Sequence, residues 1–153
     1  MARLTNKDYT LLKTMQQNCR TKVTDIARGM NIPVTTIYDK IRVHEREGII
    51  KRHATLLDFS KMGYPTKAHI TFKTTLEHKK QLQEFLTNHP SINSLSRINY
   101  GHDFITEAVF QNPAIMQEFL DEVNQKFTIQ ESHVFNVIDE LQREQFMQKQ
   151  SFQ

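Results

Sequence analysis

The side chains with the most evident chemistry lie in the segment NIPVTTIYDKIRVHEREGIIKR, residues 31–52. Hydroxyl, carboxylate and guanidinium groups can hydrogen-bond to the edges of nucleic-acid bases, and basic groups can hold phosphates. The residues predicted to contact bases are Thr35, Thr36, Asp39 and Arg42, and those predicted to contact phosphates are Lys40, Arg46, Lys51 and Arg52. Any one of them could equally be a solvated surface group. The prediction of nucleic-acid binding therefore rests on the set.

A second group of chemically capable residues forms a predicted turn between two strands. Its members are Tyr100, Gly101, His102 and Asp103. Gly101 would leave backbone amides open to a ligand, and the Asp103 carboxylate could meet an ammonium group. The charge of His102 can change near neutral pH. If a small molecule binds the chain, we expect it to lie against this turn, with a plain hairpin connection as the equal alternative.

The other residue types favour neither catalysis nor metal binding. No CxxC or HxxxH pair has metal-ligand spacing, and Cys19 has no disulfide partner. Neither paired carboxylates nor a Ser-His-Asp arrangement can be argued from spacing. We therefore predict no cofactor and no metal. A leader sequence and a membrane-spanning apolar run are also missing, which predicts a cytoplasmic protein.

The positive charge of the chain is unevenly distributed. Residues 1–63 hold twelve Lys and Arg against six Asp and Glu, a net of +6, whereas residues 64–153 hold eight against eleven, a net of −3. A basic segment suits a polyanion, because each phosphate that it neutralises releases condensed counterions. The two parts of the chain are therefore expected to have different partners.

The basic part contains the pattern of three helices. Thr5 and Asp8 form a predicted capping box for a first helix that ends near Asn18. A short second helix begins near Val23 and ends at Asn31, which tolerates the left-handed conformation.

The third helix is predicted from Val34 to Glu47, with Gly48 at its exit. Its inner face includes His44, which we expect to be a neutral, hydrogen-bonded core histidine. Three helices in this arrangement predict a helix-turn-helix, whose second motif helix lies in the major groove of double-stranded DNA. The following IIKRHATLLDF has two short β-prone pieces and predicts a basic wing.

The second part changes its hydrophobic period from 3.6 to 2 and back. The pattern predicts strands at KAHITFKT, INSLSRINY, FITEAVF and about 129–137, with helices before Pro90 and after Pro113. This βαββαβ order predicts a ferredoxin-like unit with an antiparallel sheet and both helices on one face. A second copy of the chain is the simplest cover for the other face.

The expected fold class is therefore α+β, with a winged helix-turn-helix followed by a ferredoxin-like domain. The predicted boundaries are 1–58 for the DNA-binding domain, 59–65 for a linker, 66–138 for the dimerisation and effector domain, and 139–153 for a polar tail.

The chain resembles the Lrp/AsnC family of transcription regulators over nearly its whole length. The resemblance is carried by Leu4, Asp8, Leu11, Leu12 and Met15, by VTDIARGMNIP, IRVHEREGIIKRHATLLD and MGY, and by the turn before DFITEAVF. It implies a homodimer, or a higher even oligomer, assembled through the C-terminal sheets. It also implies two DNA-reading heads and a small effector, often an amino acid, near the inter-strand turn at subunit interfaces.

Three positions depart from the family pattern. Pro33 stands where the pattern has a capping Ser, and His44 stands where it has Leu. The effector turn, of the type Gly-Asp-Tyr-Asp in the family, matches in place only at Asp103. We therefore expect weak or absent binding of ordinary amino acids.

A resemblance to tetrapyrrole (siroheme) decarboxylases is the enzyme alternative, since those enzymes look like the same two modules joined. They work with His and Tyr side chains near the same turn, so Tyr100, His102 and Arg97 would take those roles. Such an enzyme does not need a basic face on its third helix, whereas this chain is predicted to have such a face. The regulator is therefore the preferred interpretation.

Overall fold

The computed structural model describes residues 4–150, which divide into two compact units. One unit is the chain up to Leu56 together with the segment from Leu141, and the other is Leu57–Glu140. Residues 1–3 of the predicted DNA-binding domain and 151–153 of the predicted tail lie outside the described residues. None of the helices among residues 4–150 combines the length and the apolar composition that a membrane-spanning helix needs.

The first unit contains the three predicted helices, α1 (Asn6–Gln17), α2 (Val23–Met30) and α3 (Val34–Arg46). The capping box of Thr5 and Asp8 is formed, and Asn31 ends α2 in the left-handed conformation at φ 52°. Three of the buried core residues, Leu11, Ile26 and Ile37, come one from each helix. Burial of these apolar side chains holds α3 against α1 and α2.

The segment that follows α3 differs from the predicted β-prone wing. Residues 51–58 form neither helix nor strand, and all of their side chains are exposed. A strand needs a neighbouring strand for its backbone hydrogen bonds, and within residues 4–150 the four strands all belong to the sheet of the other unit. The basic segment is therefore an exposed loop in this chain.

The end of the chain also differs from expectation. A polar tail with little apolar surface is expected to be a loose helix or disordered, but residues 141–150 of the tail belong to the first unit. The Gln148 side-chain amide donates to the backbone oxygen of Lys13 in α1 at 3.0 Å. The tail therefore packs along the outside of α1.

The second unit has the predicted βαββαβ order. Its elements are a 3₁₀ turn at Ser60–Met62, β1 (Thr66–Thr74), α4 (Lys79–Asn88), β2 (Ile92–Arg97), β3 (Phe104–Phe110), α5 (Pro113–Lys126) and β4 (Ile129–Asn136). The sheet order is β2-β3-β1-β4 and the pairings are antiparallel. This order makes β2 and β4 the edge strands.

The two faces of this sheet have different surroundings. On one face, Ile70 and Phe72 of β1 pack with Leu82 of α4 and Phe119 of α5, so both helices cover the same side. Side chains alternate along a strand, and the register places the remaining residues on the opposite side. We call that side the open face: it carries His69, Thr71 and Lys73 of β1, Ile105, Glu107 and Val109 of β3, and Glu131, His133 and Phe135 of β4.

Candidate nucleic-acid interface

The outward face of α3 carries most of the side chains that were predicted to contact bases. Thr35, Asp39 and Arg42 are exposed, and Thr36 is half-buried. Arg46, which was predicted to contact phosphate, is also exposed on this face. Ile37 is fully buried on the opposite side of the helix. Hydroxyls therefore lie near the N-terminus of this face, and guanidinium groups lie toward its C-terminal end.

Tyr38 belongs to the same outward face and is a further group there, beyond the residues predicted to contact DNA. It is 50% exposed, and it lies three residues after Thr35 and four before Arg42. Residues at these separations are neighbours on a helix surface. Helical spacing alone could therefore have identified its phenol as a further group available to DNA.

Lys40 has a different environment from the one predicted for a phosphate contact. Its ammonium lies 2.6 Å from Oδ1 of Asp8 in α1, and its side chain is only 26% exposed. The other Asp8 oxygen, Oδ2, accepts hydrogen bonds from the Thr5 backbone N–H at 2.8 Å and from the Thr5 hydroxyl at 2.5 Å. In this structure, the Lys40 charge joins α3 to α1.

His44 completes this group, which we call the Asp8 network: Thr5, Asp8, Lys40 and His44. Its Nε2 lies 3.3 Å from Oδ1 of Asp8, and its ring is 4% exposed. Burial alone would raise the pKa of Asp8, but the hydrogen bonds from Lys40 and Thr5 outweigh burial and hold the pKa well below 3.8. The network is therefore a buried ionic connection behind the recognition face.

The loop after α3 adds two exposed cations, Lys51 and Arg52. The next residue, His53, lies with its Nε2 2.9 Å from Oε1 of Glu45 in α3. Because this contact joins the loop to the last turns of α3, Lys51 and Arg52 extend the basic end of the helix.

The four residues of the predicted effector turn do not converge on one point. Tyr100 is 97% exposed in a left-handed conformation at φ 57°, and Gly101 follows at φ 97°. Nε2 of His102 lies 3.1 Å from Nδ1 of His133 in β4. The turn therefore directs these side chains to separate surroundings.

The Asp103 carboxylate is occupied by other parts of the same unit. Its Oδ2 accepts the backbone N–H of Thr74 at 2.9 Å, and its Oδ1 lies 2.5 Å from the ammonium of Lys79. Burial acts to raise the pKa of Asp103, but these hydrogen bonds lower it below its usual value. The ammonium of a ligand would have to displace Lys79 to reach this carboxylate.

Comparison with known proteins gave both sequence relatives and structural neighbours, although no family model matches the chain. The chain is 25% identical over 113 residues to an uncharacterized HTH-type transcriptional regulator of Pyrococcus horikoshii, which covers 74% of this chain and 72% of the relative. The HTH-type transcriptional regulator FL11 of the same organism is 21% identical over 131 residues, covering 86% of this chain and 87% of the relative.

The fold is similar to that of an AsnC family transcriptional regulator from Agrobacterium tumefaciens. The TM-score is 0.82 at 20% identity, and the match covers 92% of this chain and 94% of the other. A transcriptional regulator from Neisseria meningitidis in complex with L-Met gives a TM-score of 0.85 at 16% identity, with the same two coverages. The similarity therefore includes both units.

Proposed function

We propose that the chain is a helix-turn-helix transcription regulator of the Lrp/AsnC type and that it reads double-stranded DNA with the outward face of α3. The observation that carries this proposal is that α3 has two different faces. Ile37 and His44 are buried on one face, and the polar side chains are exposed on the other. In a helix-turn-helix, the second helix of the motif lies in the major groove with its first residues at the base edges. Thr35 occupies that position.

The exposed groups of α3 match different features of the groove. Arg42 can donate two hydrogen bonds to O6 and N7 of guanine, and Asp39 can accept one from the amino group of cytosine. Thr35 and Thr36 can serve either as donors or as acceptors. We therefore assign base recognition to these four residues and to the phenol of Tyr38.

Phosphate binding in this proposal is assigned to Arg46, Lys51 and Arg52. Their side chains are exposed, whereas the Lys40 charge is already paired with Asp8. A dimer would thus present six cations to the two phosphate backbones. Six neutralised phosphates correspond to a slope of log affinity against log salt of roughly −5.

Fluorescence anisotropy with a labelled duplex tests this assignment through the salt dependence of binding. Lys51→Ala should weaken binding to every sequence and make the slope less steep by about 1 for each phosphate that is no longer neutralised. The matched control is Lys80→Ala, an exposed lysine on α4, which should leave the slope unchanged. A wild-type affinity that does not depend on salt would contradict the proposal.

We further propose that a second copy of the chain covers the open face. Ile105 and Val109 are only half-buried there, and Phe135 is 57% exposed at the β4 edge. Thr71 and Glu107 are already buried within the single chain. A self-complementary surface of this kind suits a two-fold dimer, which would bring two α3 helices to one DNA site.

The turn Tyr100–Asp103 is not supported as an amino-acid site, and we infer that ordinary amino acids bind weakly or not at all. The Asp103 carboxylate is engaged by Thr74 and Lys79, and the Tyr100 side chain extends into solvent. A thermal-shift series with the twenty amino acids tests this inference, because a ligand that binds only the folded state raises the melting temperature.

We also infer that the chain is a regulator rather than a tetrapyrrole decarboxylase. The sequence relatives are named as transcriptional regulators. The enzyme would need its His and Tyr groups directed to one substrate, whereas Tyr100 is almost fully exposed and His102 contacts β4. Turnover of a porphyrin acid by the purified protein would overturn this inference.

A further inference from the structure

Two histidines and one glutamate come together at the edge of the open face. In β4, His133 lies opposite Thr71 of β1 and Glu131 lies opposite Lys73, so both side chains leave the sheet on the same side. His102 reaches them from the turn before β3. One ligand atom from each of the three lies within 4.8 Å of the others.

The separations within this trio are close to those around a metal ion. Nε2 of His102 lies 3.1 Å from Nδ1 of His133 and 4.0 Å from Oε1 of Glu131. The other ring nitrogen of His133, Nε2, lies 3.6 Å from the same oxygen, and the ring would bind the ion through one of its two nitrogens. Bonds of about 2.1 Å in tetrahedral geometry place two ligand atoms about 3.4 Å apart. Small side-chain rotations would therefore be enough to coordinate one ion.

The chemical type of the ligand set selects the class of ion. Imidazole nitrogen suits zinc, nickel, copper and iron, whereas calcium and magnesium require oxygen ligands. Two histidines and one carboxylate leave a fourth position for water or another ligand, as in zinc sites with three protein ligands. We propose that His102, Glu131 and His133 bind one divalent transition-metal ion, with Zn²⁺ as the representative case.

Neighbouring groups support this assignment. The ring of His133 stacks on Phe135, with centroids 6.2 Å apart and planes at 20°, which orients one of the ligands. Thr71 is opposite His133 on the same face, and its buried hydroxyl has no hydrogen-bond partner among residues 4–150. An unpaired polar group therefore lies beside one of the proposed ligands.

An ion in this position would join the β2–β3 turn to the edge strand β4. Its ligands come from elements far apart in sequence, 31 residues in the case of His102 and His133, so the ion would form a cross-link within the second unit. Because the metal binds the folded arrangement, it should raise the melting temperature of the chain. This effect can be measured without DNA, so its outcome does not depend on the proposed function.

The test is calorimetric titration of the full chain with ZnCl₂ in a buffer that does not bind zinc. We expect one ion per chain, and at least tenfold weaker binding for each of His102→Ala, Glu131→Gln and His133→Ala. The matched control is His53→Ala, an exposed histidine that also contacts a glutamate, and its affinity should equal that of the wild type. MgCl₂ should give no binding heat at the same concentrations.

Two further measurements complete the test. Absorption spectroscopy with Co²⁺ reports the coordination geometry, and circular dichroism shows whether each variant is folded. Co²⁺ added to the wild type should give the visible absorption of a tetrahedral site, and Zn²⁺ should remove it. Circular dichroism should show the same helix content for all four variants. Absence of zinc binding by the wild type would overturn the proposal, and so would wild-type stoichiometry and affinity in folded His102→Ala and Glu131→Gln.

Discussion

Removal of the Asp8 carboxylate should loosen α3 from the rest of the first unit. Asp8→Ala deletes the acceptor of the Thr5 backbone N–H, the Lys40 ammonium and the buried His44 ring. Breaking a buried ion pair costs about 3 to 5 kcal/mol, and loss of a cap costs about 0.5 to 2 kcal/mol. Lys40 is partly exposed, so its charge can be solvated in the variant. We therefore expect a loss of about 3 kcal/mol, at the lower end of the buried-pair range.

Hydrogen exchange is the suitable assay, because a two-unit chain does not have a single unfolding free energy. A loss of about 3 kcal/mol lowers the hydrogen-exchange protection factors of the α1 and α3 amides roughly a hundredfold. The protection factors of the β1 and β3 amides should not change. The matched control is Asp25→Ala, whose exposed carboxylate pairs with Arg28 at 3.4 Å. Such surface pairs contribute at most about 1 kcal/mol.

The pH dependence of this stability follows from the lowered pKa of Asp8. Between the folded and unfolded pKa values, the unfolded chain binds more protons than the folded one, so folding is favoured as pH rises. The network's contribution is therefore complete above about pH 5 and is lost as the pH falls below 3.8 toward the folded value. Equal acid sensitivity of α3 protection in wild type and Asp8→Asn would refute the reasoning.

Three further outcomes follow from the structure. Lys40→Ala should leave the salt slope of DNA binding unchanged in anisotropy titrations, because its charge is paired with Asp8, and a slope changed by a full unit would assign Lys40 to phosphate. Phe135→Asp should shift the chain from dimer to monomer in analytical ultracentrifugation, since a carboxylate at the open face opposes burial, and a persistent dimer would place the interface elsewhere. None of the twenty amino acids should raise the melting temperature, and a shift abolished by Asp103→Ala would show that the turn is an amino-acid site.

Local signals in the sequence identified most of the fold. The capping box at Thr5, the left-handed exit at Asn31 and the change of hydrophobic period after Thr66 each act within a few residues, so they can be read directly. The βαββαβ order follows from the order in which the spacing of hydrophobic residues alternates between strand-like and helix-like along the chain. The β-prone pieces after α3 could not be resolved in this way, because a strand depends on whether a partner edge lies nearby.

The details of the candidate sites depend on contacts between distant residues. Lys40 and Asp8 are 32 positions apart, and His102 and His133 are 31 apart. No spacing rule connects such pairs before the fold is known. The sequence alone therefore predicts Lys40 as a phosphate contact, and it gives no sign that His102, Glu131 and His133 come together.

Base recognition by α3 is the central claim, and it is tested most directly by comparing two DNA sequences. A preferred duplex is first selected from a random pool by the wild-type protein. Arg42→Ala and the matched control Arg97→Ala, an exposed arginine on β2, are then titrated against that duplex and against a scrambled one at the same salt concentration.

We predict that the wild type binds the selected duplex about a thousandfold tighter, or more, than the scrambled one. Arg42→Ala should lose about 1 to 3 kcal/mol on the selected duplex and little on the scrambled one, while Arg97→Ala should match the wild type on both. Equal losses by Arg42→Ala on the two duplexes, or equal wild-type affinities for them, would contradict base recognition by α3.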